Sequence, residues 1–178
     1  METPFLRLAK FKPFGFELAI LSCISILPLL PLLFGYFPAM GDMRDVFIPL
    51  ESFFHNQQLL GSIPAWNPAV SFGFPVIASA QIGFFYPVLF LLRFLPVYLE
   101  LPLALLLHSS ACMVGMFLLG RRFQLSKEAS VFAAISFTLS QFLWQHLTHL
   151  NIFLAIAWFP WQILAVDIIF RKRKIERR

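Results

Sequence analysis

The chain has 178 residues, of which 59% are hydrophobic and 23 are Phe. Charged residues make up 13%, the formal net charge is +5 and the mean hydropathy is +0.77. A soluble domain of this size exposes about a third of its unfolded surface and cannot hide so much apolar area, disorder needs low hydrophobicity, and two Cys exclude a disulfide scaffold or a Cys-based zinc site.

What remains is an all-α integral membrane protein. Its basic residues cluster beside apolar runs, which is a topology signal rather than the footprint of a nucleic-acid reader. Residues 1–15 form a tail carrying Arg7, Lys10 and Lys12. Residues 16–37 are apolar enough to cross a bilayer, with Pro28 and Pro31 expected to kink the helix. The basic start and the small residues around Ala39-Met40-Gly41 also suit a signal peptide. The apolar stretch exceeds the usual core of about 7–15 residues, so an uncleaved span is expected.

A long outer loop follows, about 38–100. Loops beyond about 12–15 residues are commonly functional or disordered. This one holds Phe47, Phe53, Phe54, Trp66, Phe72 and Phe74, so it is expected to pack. It begins Gly41-Asp42-Met43-Arg44-Asp45. One reading of these acids is helix capping with a local ion pair. The other is a general base or a divalent-cation ligand, with Arg44 clamping a phosphate. Apolar residues at 46, 47, 50, 53, 54, 59 and 60 predict a helix over 46–60.

Beyond it, Gly61, Pro64, Pro68, Gly73, Pro75, Gly83 and Pro87 predict a rigid, shaped loop. Trp66 there either anchors at the interface or stacks on a sugar or isoprenoid. The run 84–96 is too short to span and is expected to lie at the interface or re-enter. Tyr86, Arg93 and Tyr98 would then sit at headgroup depth, with Glu100 near the outer interface.

Three more spans are expected, over 101–119, 129–144 and 152–170, before a basic tail at 171–178. This places 12 of the 14 Lys and Arg on one side of the membrane. Both termini are therefore expected in the cytoplasm. His108, Ser109 and Ser110 fall inside the second span and are expected to bond neighbouring helices. Asp167 could pair with Arg171 one turn on. Cys23 and Cys112 read as small buried residues. His146 and His149 share a helical face after the third span, reading either as polar termination or as ligands to a metal or phosphate.

The pattern Gly41-Asp42, Gly61-x-x-Pro64-x-Trp66-Asn67-Pro68, Gly73-x-Pro75, Gln81 and Tyr86-Pro87 resembles the first outer loop of YfhO-type bacterial membrane proteins. Phe142 through His149, Asn151 and Trp158-Phe159-Pro160-Trp161 resembles that family's next outer turn and following helix. These proteins belong to the GT-C class of multi-span glycosyltransferases. The resemblance implies a GT-C-like fold in the bacterial plasma (inner) membrane. It implies transfer of a sugar from a polyprenyl-phosphate donor to a cell-envelope acceptor on the outer face. It makes Asp42 the first catalytic candidate and Asp45 the second. Arg44, Trp66, Asn67, Gln81, His149 and Asn151 become substrate-binding candidates, and Mg²⁺ or Mn²⁺ at Asp42 a possible cofactor. Family members are much longer, so the chain corresponds to their N-terminal portion. A lipid or polymer transporter (or flippase) and a non-catalytic membrane assembly protein are the alternative functions.

Overall fold

A computed structural model describes residues 15–36, 40–63, 65–79 and 83–176. The described residues are helical and contain no strand; one isolated antiparallel bridge joins Asn67 to Phe74. Three segments are long and apolar enough to cross a membrane: Gly15–Phe34, Val97–Arg122 and Leu150–Phe170.

The first begins as helix α1, Gly15–Ile26, and tightens into a 3₁₀ stretch, Leu27–Phe34. Pro28 and Pro31 withhold the N–H groups an α-helix would need there, so the expected kink takes the form of a change in helix type. Gly35, at φ +85°, ends the stretch, and the backbone N–H of Tyr36 reaches back to the Pro31 carbonyl at 3.1 Å.

The outer helix is present as expected. A five-residue π-helical turn, Met43–Phe47, leads into α2, Ile48–Leu59. Pro49 cannot bond the Asp45 carbonyl four residues back, and the switch between helix types falls beside it. Buried Met43, Phe47, Leu50 and Phe54 fix this segment. Phe54 and Leu50 form a small core with Val76, against which Phe53, Phe74 and Phe84 pack. The 84–96 run contains only a short helix, α3, Pro87–Leu92.

Helix α4, Val97–Arg122, is the hub, contacting α1, the 3₁₀ stretch, α2 and α3, and the helices that follow it. The expected third span is broken. Helix α5, Lys127–Thr138, stops at Leu139, and Ser140 caps a separate short helix α6, Gln141–Gln145. A single 3₁₀ turn, His146–Thr148, precedes α7, Leu150–Ala157, and α8, Phe159–Glu176. The break at Trp158 comes two residues before Pro160.

Ion pairs gather one end of the bundle. Lys127 Nζ lies 2.7 Å from Glu17, and Arg122 Nε lies 2.6 Å from Asp167. Asp167 thus pairs across helices with Arg122, while the side chain of Arg171, its expected partner along α8, lies outside the described residues. The starts of α1 and α5, the end of α4 and the later part of α8 meet at this basic end. The outer loop and the 139–149 turn lie at the other. Between the ends, Ser109 donates to the Ser25 carbonyl at 3.2 Å and Trp161 Nε1 to the Ala111 carbonyl at 2.8 Å. The mid-span hydroxyls are thus inter-helix bonds, as anticipated. Cys112 is buried as expected, whereas Cys23 is exposed.

Candidate functional site

Asp42 sits where the chain turns into the outer helix. Gly41, at φ +53°, makes the turn, and its carbonyl accepts from the backbone N–H groups of Arg44 and Asp45 at 3.1 and 3.0 Å. Asp42 holds the capping position yet makes no capping bond. Its Oδ2 instead lies 3.9 Å from Nε2 of His149, a residue from the second outer turn. The two side chains are 45% and 42% exposed, so the pair is open.

His149 is placed by the local chemistry of that turn. Ser140 accepts from Leu143 N–H at 3.4 Å and starts α6, and the 3₁₀ turn then delivers His149 at the head of α7. His149 Nδ1 is 3.1 Å from Thr148 Oγ1, and its ring centroid is 5.4 Å from that of His146. His146 Nδ1 donates to the Phe142 carbonyl at 2.7 Å. The two histidines therefore do share a face, beside Asp42. Asn151 is one step along α7, where its Oδ1 accepts from the Ile152 N–H at 2.9 Å.

Arg44 and Asp45 form a bidentate pair at 2.6 and 3.0 Å, exposed at 65% and 57%. The Arg44 hydrogen bonds, and then its charge, hold the Asp45 carboxyl below the ordinary carboxylate range. A carboxylate so held is a poor proton acceptor. This separates the two acids that spacing left equivalent: Asp45 is paired with Arg44 in this structure, and Asp42 faces an imidazole.

Trp66 and Asn67 lie in the shaped loop, serving its architecture. Asn67 exchanges backbone bonds with Phe74 at 2.8 and 2.9 Å, and its Oδ1 accepts from Ala69 N–H at 3.0 Å. Gly73 has φ +119°, and a Cβ there would overlap the Trp66 indole, which lies against it. Trp66 is still 55% exposed. Gln81 and Pro64 lie outside the described residues.

Two polar groupings went unread in the sequence. Tyr86 O–H donates to His108 Nε2 and accepts from Trp158 Nε1 at 2.6 Å, while His108 Nδ1 donates to the Ala104 carbonyl at 2.6 Å. Burial raises the Tyr86 phenol above its usual pKa, against the pull of the Trp158 N–H, so it stays a neutral donor.

The second grouping holds Arg93 and Glu100. Arg93, expected to keep a wet end, is fully buried within the protein. It grips Glu51 through Nε at 2.6 Å and Nη2 at 3.2 Å, and it donates to the Phe84 carbonyl at 2.5 Å. Glu100, also fully buried, has Oε1 3.8 Å from Arg93 Nε. A charge inside the apolar run 84–96 was the available signal.

A cleft of about 460 Å³ opens between the 3₁₀ stretch, α2 and the start of α4, lined by Leu32, Ile48, Val97 and Leu101, with Ser52 and His55 as polar groups. Among the described residues, no three His, Cys, Asp or Glu side chains converge as a metal site. Comparison with family models, with curated proteins and with solved structures finds no match.

Proposed function

We propose that the chain is the N-terminal part of a GT-C-like glycosyltransferase of the bacterial plasma membrane, using a polyprenyl-phosphate sugar donor at the outer face. One observation carries the reading. Asp42 and His149, from loops far apart in sequence, meet at 3.9 Å in an open site at the end of the bundle away from the basic residues. In this reading the broken α5–α6 segment is a fourth traverse, and both termini are cytoplasmic because Lys and Arg gather at that end.

The chemistry is a displacement at the anomeric carbon. An acceptor hydroxyl gives its proton to the Asp42 carboxylate as its oxygen bonds to that carbon. The bond from the sugar to the phosphate oxygen breaks, and polyprenyl phosphate leaves as an anion. His149 orients the Asp42 carboxylate. Arg44 meets the leaving phosphate, since a water-exposed pair with Asp45 is weak enough to exchange for a doubly charged partner. The donor's isoprenoid chain has an apolar approach at the same end, along the cleft between the 3₁₀ stretch and α2. Trp66 and Asn67 act by shaping the loop, and Asn151 and Gln81 are further contacts to the acceptor or donor.

A cage for Mg²⁺ or Mn²⁺ is not formed by the residues present. Among the described residues no three His, Cys, Asp or Glu converge there, and the neighbour of Asp42 is an imidazole rather than the oxygen ligands these ions favour. No step is routed through an ion.

A transporter would place ionisable groups near the bilayer midplane. Here the buried triad of Glu51, Arg93 and Glu100 lies at the first turn of α4, which favours surface chemistry. The test is to reconstitute the protein in vesicles with a radiolabelled polyprenyl-phosphate sugar and an envelope-polymer acceptor. Appearance of label in the acceptor is expected. Movement of the lipid across the bilayer with no transfer would instead establish the flippase alternative.

A further inference from the structure

The triad of Glu51, Arg93 and Glu100 joins three separate parts of the chain. Glu51 comes from α2, Arg93 from the end of α3 and Glu100 from the first turn of α4. Their side chains are 1%, 0% and 0% exposed. Two carboxylates against one guanidinium leave an unbalanced negative charge where water does not reach.

Arg93 gives no hydrogen bond to Glu100. Nε and Nη2 go to the two Glu51 oxygens, Nη1 to the Phe84 carbonyl, and Nη2 also approaches the Gly83 carbonyl at 3.5 Å. Phe54 and Phe84 cover the guanidinium at 4.6 and 5.2 Å. Both Glu100 oxygens are buried with no donor, and the neighbouring acid is Glu51. Both acids approach the same Arg93 Nε, at 2.6 and 3.8 Å, and each is an acceptor when ionised.

Among the described residues, none of the ion pairs brings a second cation to the cluster. From α2, His55 faces the cluster, but its Nδ1 is 2.6 Å from the Arg93 carbonyl oxygen, to which it donates. Further along α4, His108 is occupied by Tyr86 and Ala104. The described part of the 3₁₀ stretch packed on α4 carries no charged residue. An unpaired buried carboxylate is costly enough that neutralisation is the usual outcome.

We propose that Glu100 and Glu51 form a proton-binding site, sharing one proton beside Arg93. Bound there, the proton makes Glu100 a donor to Glu51, cancels the surplus charge, and ties the outer helix to α4. Releasing it leaves two anions on one cation and loosens α2, the helix that follows Asp42. The inference stands on the triad alone and does not depend on the glycosyltransferase reading.

Infrared difference spectroscopy of the full chain in lipid nanodiscs tests it. At neutral pH the wild-type protein should show the carbonyl stretch of a protonated carboxylic acid, shifted in D₂O and lost on alkaline titration. Glu100→Gln should fold normally and lack that band, because the amide mimics the neutral acid. Glu51→Gln should also lack it, since Arg93 would then pair with an ionised Glu100. Glu128→Gln, an exposed control, should keep it. Absence of the band in the wild type, its persistence in Glu100→Gln, or failure of Glu100→Gln to fold would each overturn the proposal.

Discussion

Two charged clusters flank one helical segment, Met43–Leu59, one at its start and one against the first turn of α2, and they are built in opposite ways. Around Asp42 and Arg44 the charges stand in water, their partners are adjacent in sequence or loosely spaced, and nothing prevents exchange. Around Arg93 the charges are sealed beneath Phe54 and Phe84, and the guanidinium is bonded to Glu51 and to the Phe84 carbonyl. Burial decides which of the two can take part in chemistry. An exposed ion pair can exchange partners for a phosphate or a hydroxyl, while a sealed one can only hold the fold or hold a proton. The sealed cluster positions the segment that presents the open one.

The largest expected effect follows from breaking the sealed cluster. Arg93→Gln leaves two buried acids without a cation, and removing one member of such a network costs about 3–5 kcal/mol. The variant should lose protease resistance across the outer loop and fall in membrane level. Phe54→Ala removes the aromatic cover and is expected to cost about 3–5 kcal/mol by cavity formation, read as a lower thermal midpoint. Gly73→Ala tests the shaped loop. The left-handed backbone and the Trp66 indole against it predict a loss of about 1–3 kcal/mol, with a change in Trp fluorescence as the indole is displaced. Asp45→Asn lies at the small end. The thermal midpoint should stay put, and the freed Arg44 should alter the apparent affinity for donor. On acidification of the wild type, the Arg44–Asp45 pair should persist below the ordinary carboxylate range, because Asp45 is held low in the folded protein. Its contribution is present above the unfolded carboxylate pKa and is lost as pH falls through the lower, folded value.

Much of the architecture was legible in the sequence. Apolar length placed the three segments that are long and apolar enough to cross a membrane, and helical spacing found α2. The third expected span was read as continuous. Hydropathy does not register that Ser140 caps a new helix, so the break at Leu139 and Ser140 was hidden. The loop acids were visible as candidates, but their division of labour was not. Only the fold shows that Asp45 is held by Arg44 while Asp42 faces His149. The pairing of Glu51 with Arg93 was invisible because the partners lie 42 positions apart, and Arg93 alone reads as an interfacial charge. The same holds for Tyr86 and Trp158, which are 72 positions apart.

The most direct measurement is sugar transfer by Asp42→Asn at a membrane level matched to the wild type. The amide keeps the size and polarity of the side chain and removes its basicity. Transfer should fall by about 10²- to 10⁴-fold, the usual contribution of a general base, while thermal midpoint and protease pattern stay unchanged. Undiminished transfer by this variant would contradict the division between an open reactive cluster and a sealed supporting one.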